Sequence, residues 1–212
     1  MIGLIRYDLM QMKGSMKGAF LGFYLIFLLG FSAFIDDGGV FSFLIILIGG
    51  MLGVGVFNLD AVSHWDRYTV SLPLSTRQIV LARYGFVGVC IACSCVLAAG
   101  FGGVASFTGH MKMTLAEWLL SLVFFLLAAV LHAEVMLPIL YYFGAERGRV
   151  FSLMFFFLLF FGINFAADWL TEAEYFGDLQ IWMMGAAFAV VVIVLLPVSI
   201  AVSVRSLSKK EL

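Results

Sequence analysis

The chain has 212 residues, 64% of them hydrophobic and only 12% charged, with a net charge of −1. Soluble domains carry about 25% charged residues, so the composition points away from a water-soluble fold, while the near-zero net charge says nothing about nucleic acid. The apolar runs also lack the alternating polarity, in segments of about ten residues, that a membrane β-barrel requires.

The first predicted element covers residues 1–17, "MIGLIRYDLMQMKGSMK". Ile2, Ile5, Leu9, Met12 and Met16 fall on one helical face, and Arg6, Asp8, Lys13 and Lys17 lie away from it. That pattern predicts an amphipathic helix along the inner membrane surface, or one packed on a partner. Residues 18–35 follow as a continuous apolar run. A signal-peptide core is only about 7–15 residues long, so this run is read as a first membrane span. The second span is 40–57. Gly18 with Gly22 in the first span, and Gly49 with Gly53 in the second, have the spacing that lets helix backbones approach closely. They serve either packing within one chain, which is favoured, or a contact between two chains.

Between the second and third spans lies 58–75, the most polar interruption of the apolar pattern. Ala61, Trp65, Tyr68 and Leu72 are spaced 4, 3 and 4 apart, a single apolar helical stripe, with Asp60, His64, Asp66, Arg67 and Ser71 on the other sides. Pro73 stops or bends that helix. Ser75 and Gln78, three apart, predict a capping box that starts the third span at Thr76. This span, 76–104, places Arg77 and Arg83 low enough to reach lipid headgroups. The stretch is either a surface anchor or a docking helix for a protein outside the membrane, since Trp, Tyr and Arg are the usual interface anchors.

The fourth span is 115–142. His132 and Glu134 interrupt it, and an acid at the centre of a membrane helix costs roughly 2.5–3.5 kcal/mol on insertion scales. Glu134 is therefore expected to face a transport path or a buried partner. Pro138, four residues on, cannot donate a backbone N–H, which leaves a carbonyl near Glu134 free. His132 and Glu134, two apart, point to different faces and do not make a metal pair, which needs i, i+4 spacing. Cys90, Cys93 and Cys95 sit in an apolar helix with no basic neighbour and read as small packing residues. The fifth span is 150–167, followed by an outer segment 168–179 and a sixth span, 180–204, with a kink expected at Pro197.

Placing the N-terminus in the cytoplasm leaves Lys112 as the only one of the twelve Lys and Arg residues outside. Basic residues in short loops resist translocation, so both termini are expected to be cytoplasmic. The acidic residues Asp36, Asp37, Asp168, Glu172, Glu174 and Asp178 then collect outside. No G-x-x-x-x-G-K-[ST] phosphate loop is present, and no connection is long enough to fold as a soluble catalytic domain.

"WDRYTVSLPLSTRQIVLARY", with Trp65, Tyr68, Ser71, Leu72, Pro73, Ser75, Ile79, Val80, Ala82, Arg83 and Tyr84, resembles the loop between the second and third spans of small ABC-2 type transporter permeases. "LPILYYFGAERGR", through Pro138, Phe143, Gly144, Glu146, Gly148 and Arg149, is similar to a second family pattern, although Tyr142 stands where a basic residue is usual. Asp8 in the opening and the basic tail "SKKEL" complete the match in order along the whole chain. Such permeases resemble the membrane subunits of bacterial peptide and bacteriocin exporters, including exporters of phenol-soluble modulins. The resemblance implies an all-α, six-span exporter domain of the type V kind in a bacterial cytoplasmic membrane. In that domain the Trp65–Leu72 helix is the coupling helix that docks on a separate ATP-binding cassette ATPase.

By that resemblance Ala61, Trp65, Asp66, Arg67, Tyr68, Leu72, Pro73, Glu146 and Arg147 would meet the ATPase, with Glu134 and His132 as candidate path residues. ATP and magnesium belong to the partner chain, and a second permease copy or a related permease completes the transporter. The remaining alternatives are an intramembrane enzyme using His132 and Glu134, and a small ATPase-independent channel or scaffold.

Overall fold

The computed structural model describes residues 2–15, 38–63, 74–107, 114–172 and 178–210. These form six α-helices and no strand: α1 (Ile2–Ser15), α2 (Gly38–Ser63), α3 (Thr76–Phe107), α4 (Leu115–Phe143), α5 (Ala145–Glu172) and α6 (Asp178–Lys210). Among the described residues, three stretches are long and apolar enough to cross a membrane: Thr76–Gly103, Glu117–Phe143 and Gly185–Lys209. Ser42–Phe57 of α2 is a shorter apolar helix. The predicted span 18–35 lies outside the described residues.

Helix starts follow local chemistry. The backbone N–H of Gln78 donates to Ser75 Oγ (3.4 Å) and that of Ser75 to Gln78 Oε1 (3.1 Å), the reciprocal cap that the spacing predicts for α3. An equivalent box, unanticipated from the sequence, opens α4: Glu117 N–H donates to Thr114 Oγ1 and Thr114 N–H to Glu117 Oε2. Helix α2 runs past its predicted end at 57 to Ser63, and α5 starts at Ala145 rather than 150. Residues 168–172 prolong α5, and 178–179 open α6.

Helix α2 is the centre of the bundle, packed on α3 and α4 with α1 and α5 touching it; α6 leans on α4 and, less extensively, on α3. Ile46, Val56, Phe86, Val87, Met136 and Leu137 fill the shared core. Close approach of α2 to α3 depends on absent side chains. A Cβ at Gly49 would overlap Ser94, whose hydroxyl donates to the Cys90 carbonyl, and one at Gly53 would lie 3.3 Å from Cys90 Cβ and Val87 Cα. The Gly49–Gly53 pair thus packs within one chain, and Cys90 is a small residue filling that seam. Gly49→Val should destabilise the bundle by about 1–3 kcal/mol through overpacking, read as earlier unfolding in a detergent titration; an unchanged midpoint would show that the seam opens freely.

Helices α4 and α5 are joined by one residue. Gly144 has φ +85°, a conformation that side-chain-bearing residues adopt only with strain. Its N–H donates to the Leu140 carbonyl and its own carbonyl accepts from Gly148 N–H. The pair folds back on itself: Gly148 lies against Leu140, and the rings of His132 and Phe155 meet at 5.8 Å.

Candidate functional site

The chain carries an ionic joint where α1, α2 and α3 converge. Asp8 from α1, Asp60 from the last turn of α2 and Arg83 from the second turn of α3 are 4%, 1% and 8% exposed. Arg83 Nη1 lies 3.1 Å from Asp8 Oδ1, and Nη2 donates to Asp60 Oδ2. The guanidinium carbon sits 4.8 Å over the Phe57 ring, within cation–π range. Phe57 in turn meets Tyr141 of α4 edge-on at 5.0 Å. Burial, opposed by Arg83 and reinforced by Asp60, pushes the Asp8 carboxyl up to about 6. Two carboxylates share one guanidinium, so full ionisation leaves an uncompensated charge.

Three expectations are corrected by this joint. Arg83 does not reach headgroups; it turns inward, because two buried carboxylates offer more than hydrated phosphate at this depth. Arg77, in the first turn of α3, is the exposed one. Asp8 and Asp60, assigned to polar outer faces, are buried. The N-terminal helix is packed on its own chain, with Ile5 against Gly85 of α3.

A second polar cluster ties α3, α4 and α6. Pro138 cannot donate to the Glu134 carbonyl, and Ser199 Oγ of α6 supplies the missing hydrogen bond. The Tyr84 hydroxyl shares hydrogen bonds with Ser199 Oγ (2.6 Å) and Ser203 Oγ (3.0 Å). The Glu134 side chain is 3% exposed, so protein surrounds it, and neither carboxylate oxygen has a hydrogen-bond partner among the described residues. His132 is fully buried towards α5, its ring nitrogens likewise without a partner there.

Of the residues expected to meet a partner, Ala61 is in the last turn of α2, while Trp65, Asp66, Arg67, Tyr68, Leu72 and Pro73 lie outside the described residues. Glu146 and Arg147 are exposed in the first turn of α5. The Phe57–Tyr141 contact puts the end of α2 and the α4–α5 corner at one end of the bundle. Beside that corner, a cavity of about 200 Å³ is lined by Met51, Val54, Gly55, Leu140, Gly148, Ser152 and Leu153. No charged group among the described residues lines it. Among the described residues no cluster of His, Cys, Asp and Glu could hold a metal ion.

Among the described residues, an all-helical architecture and apolar helices of membrane length define an integral membrane protein. The family model for ABC-2 family transporter proteins matches residues 3–208, and the chain belongs to that family, whose members are transport components of the membrane and normally work with an ATPase partner. No curated protein and no solved structure matches the chain.

Proposed function

We propose that the chain is the membrane-spanning permease subunit of an ATP-binding cassette exporter, moving a hydrophobic or amphipathic substrate such as a peptide outward by alternating access. The family match over 3–208 carries this reading. ATP and magnesium are bound and ATP is hydrolysed in a stand-alone ATPase chain. That chain receives the Trp65–Leu72 helix, with Asp66 and Arg67 at the rim of its groove and Glu146 and Arg147 beside it. A second permease copy or a relative completes the pathway. Glu134 and His132 are its candidate lining residues when the helices rearrange. An intramembrane enzyme is disfavoured because the sequence offers no second acid or nucleophile pair within the spans to work with His132 and Glu134.

Purification of the full chain from its native membranes in mild detergent should bring with it a chain that hydrolyses ATP. Recovery of the permease alone, under conditions that preserve other such complexes, would favour the channel or scaffold alternative.

The apolar runs support six spans, the family resemblance a bacterial cytoplasmic membrane, and the distribution of basic residues an orientation with both termini inside. A cysteine probe at Ser208, in a background with Cys90, Cys93 and Cys95 replaced, should react with an impermeant maleimide only after cells are opened. Labelling of intact cells would reverse the topology.

A further inference from the structure

The Asp60–Arg83 pair joins the two helices that flank the 64–73 segment. Asp60 lies three residues before the end of α2 and Arg83 seven residues beyond the start of α3. The pair thus pins the entry and exit of the segment to each other. The same guanidinium holds Asp8 on its other side, and through Phe57 and Tyr141 it reaches the helix that ends at the Gly144 corner. A planar guanidinium with donors on two edges can bridge two carboxylates in a fixed geometry, where a lysine offers only a point charge.

We propose that Arg83 is a positioning residue for energy coupling: with Asp8 and Asp60 it locks the N-terminal helix to both roots of the 64–73 segment, so that α1 moves with the coupling loop as part of one force-transmitting body. This rests on the permease reading above. A helix that merely floats on the membrane surface would not bury an aspartate against the arginine of a neighbouring span. Burying Asp8 is costly unless Arg83 faces it, so the pairing enforces one register of α1 on α3. Ile5 against Gly85 sets the same register from the apolar side. The load path that results is short: segment 64–73 to Asp60 and Arg83, Arg83 to Asp8, and Asp8 to the whole of α1.

The test uses spin labels on the full chain in nanodiscs, with its native cysteines replaced. One pair joins exposed Met10 of α1 to exposed Arg77 of α3; two further pairs join each of these to Thr114 at the opposite end of the bundle. The wild-type Met10–Arg77 distance distribution should be narrow. In the co-purified complex trapped with Mg-ATP and vanadate, the Met10–Thr114 and Arg77–Thr114 distances should shift together.

Asp8→Ala leaves Arg83 and Asp60 as a balanced pair, so the fold should survive. It should broaden the Met10–Arg77 distribution at least about twofold, and Arg77 should then shift on trapping without Met10. Lys13→Ala, an exposed change on the same helix, should do neither. A Met10–Arg77 width unaltered by Asp8→Ala, or a wild-type Met10 that stays still while Arg77 moves, would overturn the proposal, as would an absence of movement in both. If no ATPase co-purifies, the permease reading fails and the coupling role with it, while the Met10–Arg77 width still reports whether the lock exists.

Discussion

Arg83→Met should destabilise the protein by about 3–5 kcal/mol, the usual cost of removing one partner from a buried ion pair. The loss is expected at the upper end because Arg83 serves two acids. Without it, Asp60 at 1% exposure and Asp8 at 4% face each other with no counter-charge. The cation–π contact with Phe57 disappears as well. Unfolding of the purified protein in a detergent titration reads the effect directly. The companion variant, with Asp8→Leu and Asp60→Leu added to Arg83→Met, should recover most of the loss, since apolar side chains of similar size often replace buried ion clusters without penalty. A fully stable single variant would mean that the joint opens to water.

Trp65→Ala with Arg67→Glu is the second large effect, here on assembly rather than on the fold. A buried tryptophan anchor is worth about 2 kcal/mol or more on truncation, which is a weakening of roughly 30-fold in the dissociation constant of the permease–ATPase complex. Reversing the rim charge at Arg67 adds repulsion where the wild type has attraction. On the proposed docking, Pro73→Ala should leave the complex intact and reduce only the efficiency with which ATP hydrolysis drives transport. Titration of a purified ATPase partner against each variant gives the affinities. Equal binding by the double variant and the wild type would make the helix a membrane anchor.

Long apolar runs announced the helices, and the Ser75–Gln78 spacing announced the first turn of α3, because both signals are contained within one stretch of chain. Helix α2 continues past residue 57, where the apolar run ends, because burial of Asp60 against Arg83 makes a polar residue part of the bundle. The ionic joint was out of reach for the same reason. Each of its three charges looks like a surface residue on its own helix. Only the relative rotation of α1, α2 and α3 shows that they share a point, and the periodicity of any single helix is silent about that rotation. The hint available was that Asp8 and Arg83 both fall in the stretches that carry the family resemblance. Glu134 illustrates the middle case. Its cost in a membrane helix predicted burial, and Pro138 predicted a spare carbonyl, but the identity of Ser199 as its donor belongs to a helix some sixty residues away.

The corner at Gly144 bears on the order in which the molecule is assembled. Contacts across it join residues nearly equidistant from the glycine, 140 with 148 and 132 with 155. The α4–α5 hairpin can therefore zip outward from one point, without first closing a long loop. The ionic joint must instead bring together residues as far apart as Asp8 and Arg83, and the Tyr84–Ser203 bond spans 119 positions. Local pairing of this kind precedes distant pairing in small proteins. The hairpin is thus the part of the bundle that can form with the least loop closure, whereas the N-terminal helix is held by contacts distant in sequence.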